Sequence, residues 1–288
     1  MVSVVQLGSV EYAEGVSLQQ KLVALRKSGE IGDALVLLEH SPVITLGRNA
    51  KAANILAPTE ALAARGVEVF ECDRGGDVTF HGPGQIVGYP IFDLRRHELL
   101  PLDAQLRSQR LADRSVRATS LPATPERKTL GAVDYVRRLE EVLIRTCADF
   151  GIASKRVKGL TGVWTEDDVA APTREGKIAA IGVHISRSVT SHGFALNVNN
   201  DLGYFNLIVP CGIAAKPVTS MQKELGHEVD VDAVAQSLSR NFGVVFGQQM
   251  LWIDSIDALI GQTVGVPMRT PEDLRRLHDA NADDLFLA

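Results

Sequence analysis

The chain has 288 residues, room for one large domain or two modest ones, and its 45% hydrophobic and 23% charged residues match an ordinary globule with a sizeable core. A formal net charge of −5 argues against a broad nucleic-acid footprint, because duplex binding is led by neutralisation of phosphates; a local basic patch stays open. Three cysteines (Cys72, Cys147 and Cys211) without a CxxC pair argue against a disulfide framework and fit a reducing compartment.

In chain order, the opening "MVSVVQLGSVEYAEG" lacks the basic and apolar regions of a secretory leader and the Arg/Ser richness of a transit peptide. No apolar run is long enough to span a bilayer, so the expectation is a soluble cytoplasmic protein. "SVVQLG" reads as a strand. Residues 17–29 read as a helix with Ser17 as N-cap and Gly29 as its stop. "DALVLLEHSPVITLGR" gives two strands around the "HSP" turn. "PTEALAARG" predicts a short helix and "VEVFECD" a strand. Residues 74–94, "RGGDVTFHGPGQIVGYPIFDL", carry five glycines with a strand behind them. Residues 103–131 hold five arginines and two prolines without a sustained period, and are read as a mobile insertion.

The pattern resumes with Val136, Leu139, Leu143, Cys147 and Phe150, at steps of three and four; this is the apolar stripe of a helix and makes Cys147 a core residue. Then come "RVKGLTGVWT", a polar loop, the strand "KIAAIGVHIS" and a hairpin-like return "TSHGFALNVN". "DLGYFNLIVPCGI" follows, then helical segments 231–242 and 271–280 and a polar tail. Strands and helices mix without strict alternation, which predicts an α+β domain with a mixed sheet.

Several residues could carry chemistry. Cys211 ends an apolar run in "NLIVPCGIAAKPV". A free thiol is only a few per cent thiolate at pH 7, so Cys211 needs a cation, a base or a helix N-terminus beside it. On its own it stays open between buried filler and nucleophile. The 74–85 stretch matches neither GxxxxGK[ST] nor a helix-opening GxGxxG, so no nucleotide phosphate cradle is read there. Arg74, Asp77, Thr79, His81 and Gln85 among its glycines favour a pocket wall over a plain hairpin. Lys177 opens an apolar strand, where a lysine is usually solvated; pointing inward it would serve as a base. Gly182 and Gly193 in neighbouring strand patterns mark close approach by a ligand or backbone. The seven histidines make no metal-binding spacing, and GxSxG is absent, so neither a metal centre nor a serine elbow is expected.

Together, "EHSPVITLGR", "RGGDVTFHGPGQIVGYPIFDL", "RVKGLTGVW", "KIAAIGVHIS", "HGFALNVNNDLGYFNLIVPCGI" and "MQKELG" resemble the octanoyl (lipoyl) transferase family of lipoate biosynthesis, from about residue 5 to about residue 245. The resemblance implies a single α+β domain of biotin/lipoate protein ligase-like (class II synthetase-like) fold, with mixed β-sheets flanked by helices. It sets a catalytic domain at 1–250 carrying the 103–131 insertion, and a helical, polar extension at 251–288. Both the insertion and the extension depart from the family core. The implied reaction moves an octanoyl group from octanoyl-acyl carrier protein to a lysine of a lipoyl domain, such as those of 2-oxoacid dehydrogenases and the glycine cleavage H protein.

The resemblance makes Cys211 the nucleophile and acyl-thioester carrier, and Lys177 the partner that lowers its pKa and acts as base. It assigns substrate binding to Arg74, Gly75, Gly76, Asp77, Val78, Thr79, Phe80 and His81, and to Ala180, Ile181, Gly182, Gly193, Phe194 and Ala195. No cofactor, metal, nucleic acid or membrane is implied. Two other readings are an ATP-dependent lipoate–protein ligase, which has no use for Cys211, and a catalytically idle binder of lipoyl domains. Lys155, Arg156 and Lys158 form a basic cluster, read either as a rim for acidic partners or as a solvated turn.

Overall fold

The computed structural model describes residues 1–97, 129–166, 175–210 and 216–261; Cys211, the expected helix 271–280 and residues 103–128 of the expected insertion lie outside them. Strands with apolar residues on both faces build the centre. β1 (Val2–Val10) sends Val2 and Val4 to one side and Val5 to the other. It leads into α1 (Tyr12–Ser28). β2 (Asp33–His40) then divides Leu35 and Leu37 from Ala34, Val36 and Leu38 in the same way. A strand apolar on both faces needs cover on both, and helices supply it.

β3 (Val43–Leu46), α2 (Thr59–Ala64), β4 (Glu68–Glu71) and β5 (Val78–His81) come next, then β6 (Gln85–Ile91) and α3 (Ala132–Asp149). After these run β7 (Ser154–Val157), β8 (Leu160–Thr165), β9 (Lys177–Ser186) and β10 (Val189–Asn197). The described chain closes with α4 (Met221–Leu225), α5 (Val231–Phe246), β11 (Met250–Trp252) and α6 (Ile256–Gly261).

Eight strands form one mixed sheet in the order β11-β1-β2-β6-β10-β9-β8-β7, in which β11, β1 and β2 are parallel and the remaining pairs antiparallel. β4-β3-β5 make a second, smaller sheet. α3 and α5 cover one face of the large sheet through Tyr135, Leu139, Leu143, Leu238 and Phe242. α1 and α6 cover the other with Leu22 and Leu259. The small sheet has its own core of Ile44, Val78, Phe80, Phe205 and Leu207. Cys147 is buried in the α3 face, and burial pushes its thiol up to about 12.

The sequence reading of two helices is corrected, and a third feature bears on the extension expected at 251–288. α1 starts at Tyr12 rather than at an N-cap on Ser17. Its buried residues are Tyr12, Gly15, Gln19, Leu22 and Arg26, a helical stripe that is mostly not apolar and is therefore invisible to a hydrophobic pattern. The first turn is fixed by packing instead: a Cβ on Gly15 would lie 2.8 Å from the His40 ring. On α3, Val136 is only half-buried, and Tyr135 and Val142 carry the stripe in its place. The expected boundary at residue 250 falls inside β11, whose Leu251 and Trp252 pair with Ser3 and Val4. Residues 251–261 thus continue the sheet and its cover.

Candidate active site

β5 reads "VTFH", and a strand's period of two splits it. Val78 and Phe80 enter the small-sheet core, while Thr79 and His81 face a cavity between the two sheets. On the other wall, β9 and β10 pair Ala180 with Ala195, Ile181 with Phe194 and Gly182 with Gly193, and all six line that cavity. Two of these positions leave no room for a side chain. A Cβ on Gly182 would lie 2.7 Å from the Gly75 carbonyl oxygen, and one on Gly193 would lie 2.2 Å from the Gly88 carbonyl oxygen. The loop and strands close on each other only because glycines stand there.

A second cavity is lined by Lys177, Gln85, Asn197, Phe205, Pro210 and Val218, and shares Thr79, Ala180 and Ala195 with the first. The two meet at these three small residues. Lys177, 8% exposed, is pinned through its backbone: its N–H donates to the Pro217 carbonyl at 2.8 Å and its own carbonyl accepts from Thr219 N–H at 3.0 Å. The chain on both sides of 211–215 therefore borders the Lys177 cavity, through Pro210 and Val218.

The first cavity holds one buried cation, Arg74, among polar groups that include Asp77, Thr79, His81 and His192. Arg74, 8% exposed, donates to the Thr45 carbonyl at 2.7 Å, to Thr45 Oγ1 and to the Gly75 carbonyl. Among the described residues no carboxylate lies within ion-pair distance of it. His81 is neutral at physiological pH: burial, reinforced by His40 and Arg74, pushes it down to about 3. The Gln85 amide NH2 donates to Phe80 O and Asn197 Oδ1, so its oxygen must accept from His81 Nδ1, at 2.7 Å. Burial likewise lowers His40, whose Nδ1–H donates to Val10 O at 2.7 Å and whose Nε2 accepts from Tyr89 OH at 2.6 Å.

At the rim, Asp73 bridges two histidines: His192 Nε2–H donates to it at 2.7 Å, and His184 Nδ1 also pairs with it. Burial alone would push Asp73 up, but the hydrogen bonds and charge of His192 and His184 outweigh it and hold the carboxyl low. His192 has φ +54°, a strained conformation for a non-glycine residue, with its N–H held by Gln19 Oε1 at 2.7 Å.

Of the fourteen residues expected at a substrate site, eleven line the first cavity; Val78 and Phe80 face away into the core, and Gly75 stands behind the wall against Gly182. Lys177 lies at the second cavity, and Cys211 lies outside the described residues. The sequence reading missed Tyr12, Val87, Tyr89 and His192 in the first cavity. Tyr12 shared the overlooked polar stripe of α1, and His192 was visible only as the neighbour of Gly193. The basic cluster is partly spoken for: Lys155 pairs with Glu175 at 3.5 Å, and Arg156 with Glu140 at 3.1 Å and Glu141 at 2.7 Å. Among the described residues no group of three or more His, Cys, Asp or Glu could hold a metal ion, and no helix is long and apolar enough to cross a membrane.

The family model of the lipoyl protein ligase A/B catalytic domain matches residues 11–110 and 117–243. The chain is 55% identical over 287 residues to an octanoyltransferase of Koribacter versatilis, covering 100% of each. It is 52% identical to an octanoyltransferase of Acidobacterium capsulatum, covering 88% of this chain and 94% of that one. Among solved structures, a bipartite lipoate protein ligase from Thermoplasma acidophilum superposes with a TM-score of 0.58 at 15% identity, over 88% of this chain and 87% of that one. Lipoate-protein ligase A bound with ATP gives 0.58 at 12% identity, over 88% and 89%. At such identities these two likenesses concern the fold, which is the α+β architecture expected from the sequence.

Proposed function

The chain belongs to the lipoyl protein ligase A/B catalytic-domain family, and from that premise we propose that it moves an octanoyl group from octanoyl-acyl carrier protein to a lysine of a lipoyl domain through a thioester on Cys211. The octanoyltransferases it resembles, one of them along its whole length, support acyl transfer in protein lipoylation. The observation that carries the Cys/Lys reading is that Lys177 and Pro210, the chain neighbour of Cys211, line one cavity that opens onto an apolar slot.

In this reading, the Lys177 ammonium favours the Cys211 thiolate by charge. The thiolate attacks the donor's carbonyl, and the bond to the carrier's sulfur breaks. The departing thiolate takes the Lys177 proton, leaving a carrier thiol, a neutral Lys177 amine and an acylated Cys211. The neutral amine of the acceptor lysine then attacks the new thioester, and Lys177 takes up its proton as the amide forms. Cys211 leaves as a thiolate beside a restored ammonium. Attack of thiolate on thioester exchanges like for like, so the first step is close to balanced. The acyl tail enters past Thr79, Ala180 and Ala195, the small residues that line both cavities.

The test uses octanoyl-acyl carrier protein and an apo lipoyl domain without ATP. Transfer is expected, with one octanoyl group on the intact wild-type enzyme by mass spectrometry and none on Cys211→Ser. An adduct that persists in Cys211→Ala would overturn the nucleophile. Strict dependence on ATP and free acid would instead favour a ligase.

A further inference from the structure

The place of Lys177 is set by the neighbouring strand more than by its own. Pairing of β8 with β9 shifts register between Val163, opposite Ala179, and Trp164, opposite Lys177. Two features of β8 meet the lysine side chain at this irregularity. Gly162 has φ +121°, and a Cβ there would lie 2.8 Å from Lys177 Cε and 2.6 Å from the Ala179 carbonyl oxygen. Only a residue without a side chain lets Lys177 lie across that strand. Trp164, 1% exposed, then puts its indole under the lysine, with Nζ 5.3 Å from the ring centroid. That is within the range at which the ring quadrupole attracts an ammonium.

The indole N–H makes no contact that would account for the tryptophan. Buried tryptophan N–H groups usually find an acceptor. Trp164 Nε1 has no hydrogen-bond partner among the described residues, so a smaller or wholly apolar ring would fill the core without leaving a donor unpaired. What the position gains from tryptophan is its π face. Lys216 Nζ sits 5.0 Å from the same ring centroid, and Glu175 pairs with it. The ring therefore faces two ammonium groups.

We propose that Gly162 and Trp164 are positioning residues for Lys177: the glycine opens the path of its side chain, and the indole face fixes where its ammonium stands. The proposal deepens the reading of Lys177 as the charge partner and base of the transfer, and it rests on that reading. The test replaces Trp164 by 5-fluoro- and then 5,6,7-trifluorotryptophan, which keep the shape of the ring while weakening its quadrupole. Transfer turnover is expected to fall with each step, by roughly 2- to 30-fold in all, at an unchanged KM for the lipoyl domain. The pH profile of Cys211 alkylation should move toward that of Lys177→Ala. Trp164→Phe should retain more turnover than Trp164→Leu. Turnover and profile indifferent to fluorination, in an enzyme whose profile does respond to Lys177→Ala, would refute the positioning role alone. A Lys177→Ala enzyme with wild-type turnover and profile would remove the role of Lys177 itself, and the proposal with it.

Discussion

Leucine at position 180 tests whether the slot reads the length of the acyl chain. Ala180 stands opposite Ala195 in the β9–β10 ladder, and with Thr79 the two border both the Lys177 cavity and the one beyond. Opposed residues in an antiparallel pair hold their Cβ atoms about 4.5–5.5 Å apart. The three carbons that leucine adds to alanine therefore fill a passage that runs over two neighbouring methyl groups and beside a threonine. An acyl group attached on the Lys177 side is then shut out of the far cavity. Each methylene denied burial loses about 0.8 kcal/mol, or about fourfold in kcat/KM. If four carbons of an octanoyl group lie past the constriction, the loss is about 3 kcal/mol, roughly 200-fold. A butanoyl donor stops short of the passage and loses little. The assay is the ratio of kcat/KM for octanoyl- and butanoyl-carrier protein, with Tm measured alongside because overpacking alone costs about 1–3 kcal/mol. Wild type should favour octanoyl strongly, and Ala180→Leu should bring the ratio toward one. A folded variant that keeps the wild-type ratio would show that the chain does not pass over these alanines.

Gly88→Ala should lower stability by about 1–3 kcal/mol, since its Cβ would fall 2.1 Å from Phe194 Cζ; chemical denaturation reads this, and an unchanged midpoint would mean the ring moves without strain. His81 binds a proton at about 3 in the fold but near 6.5 when unfolded, so its contribution is complete above pH 6.5 and is lost as pH falls toward 3. Wild type should therefore lose up to about 1.4 kcal/mol per pH unit more than His81→Gln between pH 6 and 4, and parallel stability curves would contradict a neutral His81. Asp33 works in the same sense, in a more acidic window. Its pKa is held low, despite burial, by bonds from His97 and the Asp93 N–H and by Arg26, so the stability it provides is present above about pH 4 and is lost below it. Asp33→Asn should be clearly less stable than wild type at pH 7 and approach it at pH 3; a constant gap would contradict the ion network. Finally, the Leu130 N–H donates to the His97 carbonyl at 3.1 Å, which is the closing bond of a four-residue turn if two residues stand between them. Replacing residues 98–129 by Asn-Gly should leave the core folded with a Tm within a few degrees, and failure to fold would show that the segment holds the domain together.

How far the sequence revealed this arrangement depends on where the signal lay. The α3 stripe and the β9–β10 pair were legible because their periods are apolar, and burial of apolar faces is the dominant local signal. α1 was legible only from its second turn, since Gln19 and Arg26 are buried to serve partners elsewhere: His192 N–H for the first, and Asp33, at 2.6 Å, for the second. The motif at 74–81 was read as one contiguous wall, yet successive side chains of β5 point to opposite faces. Val78 and Phe80 had to turn into the small-sheet core, and that could have been anticipated from the period alone. Asp73, His184 and His192 were not legible as a group at all. They are 111 and 119 residues apart in sequence and meet only because the small sheet folds over the ends of β9 and β10.

That distribution follows from what a slot for a thin apolar chain requires. The slot needs small residues at matched register, and Ala180, Gly182, Gly193 and Ala195 supply them on two paired strands, where local sequence shows them. It also needs polar groups nearby that do not draw water along the slot. Here these are made neutral or satisfied by distant partners: His81 by Gln85, His40 by Tyr89 and Val10, and Arg74 by Thr45. Each of those pairings removes a donor or a charge from the cavity surface, and each joins residues from separate elements. The apolar half of the site is thus written in short-range pattern, and the polar half in tertiary contacts. The same division explains the candidate base. Lys177 is legible as the first residue of a strand, while the glycine and indole that hold its ammonium belong to the strand before it.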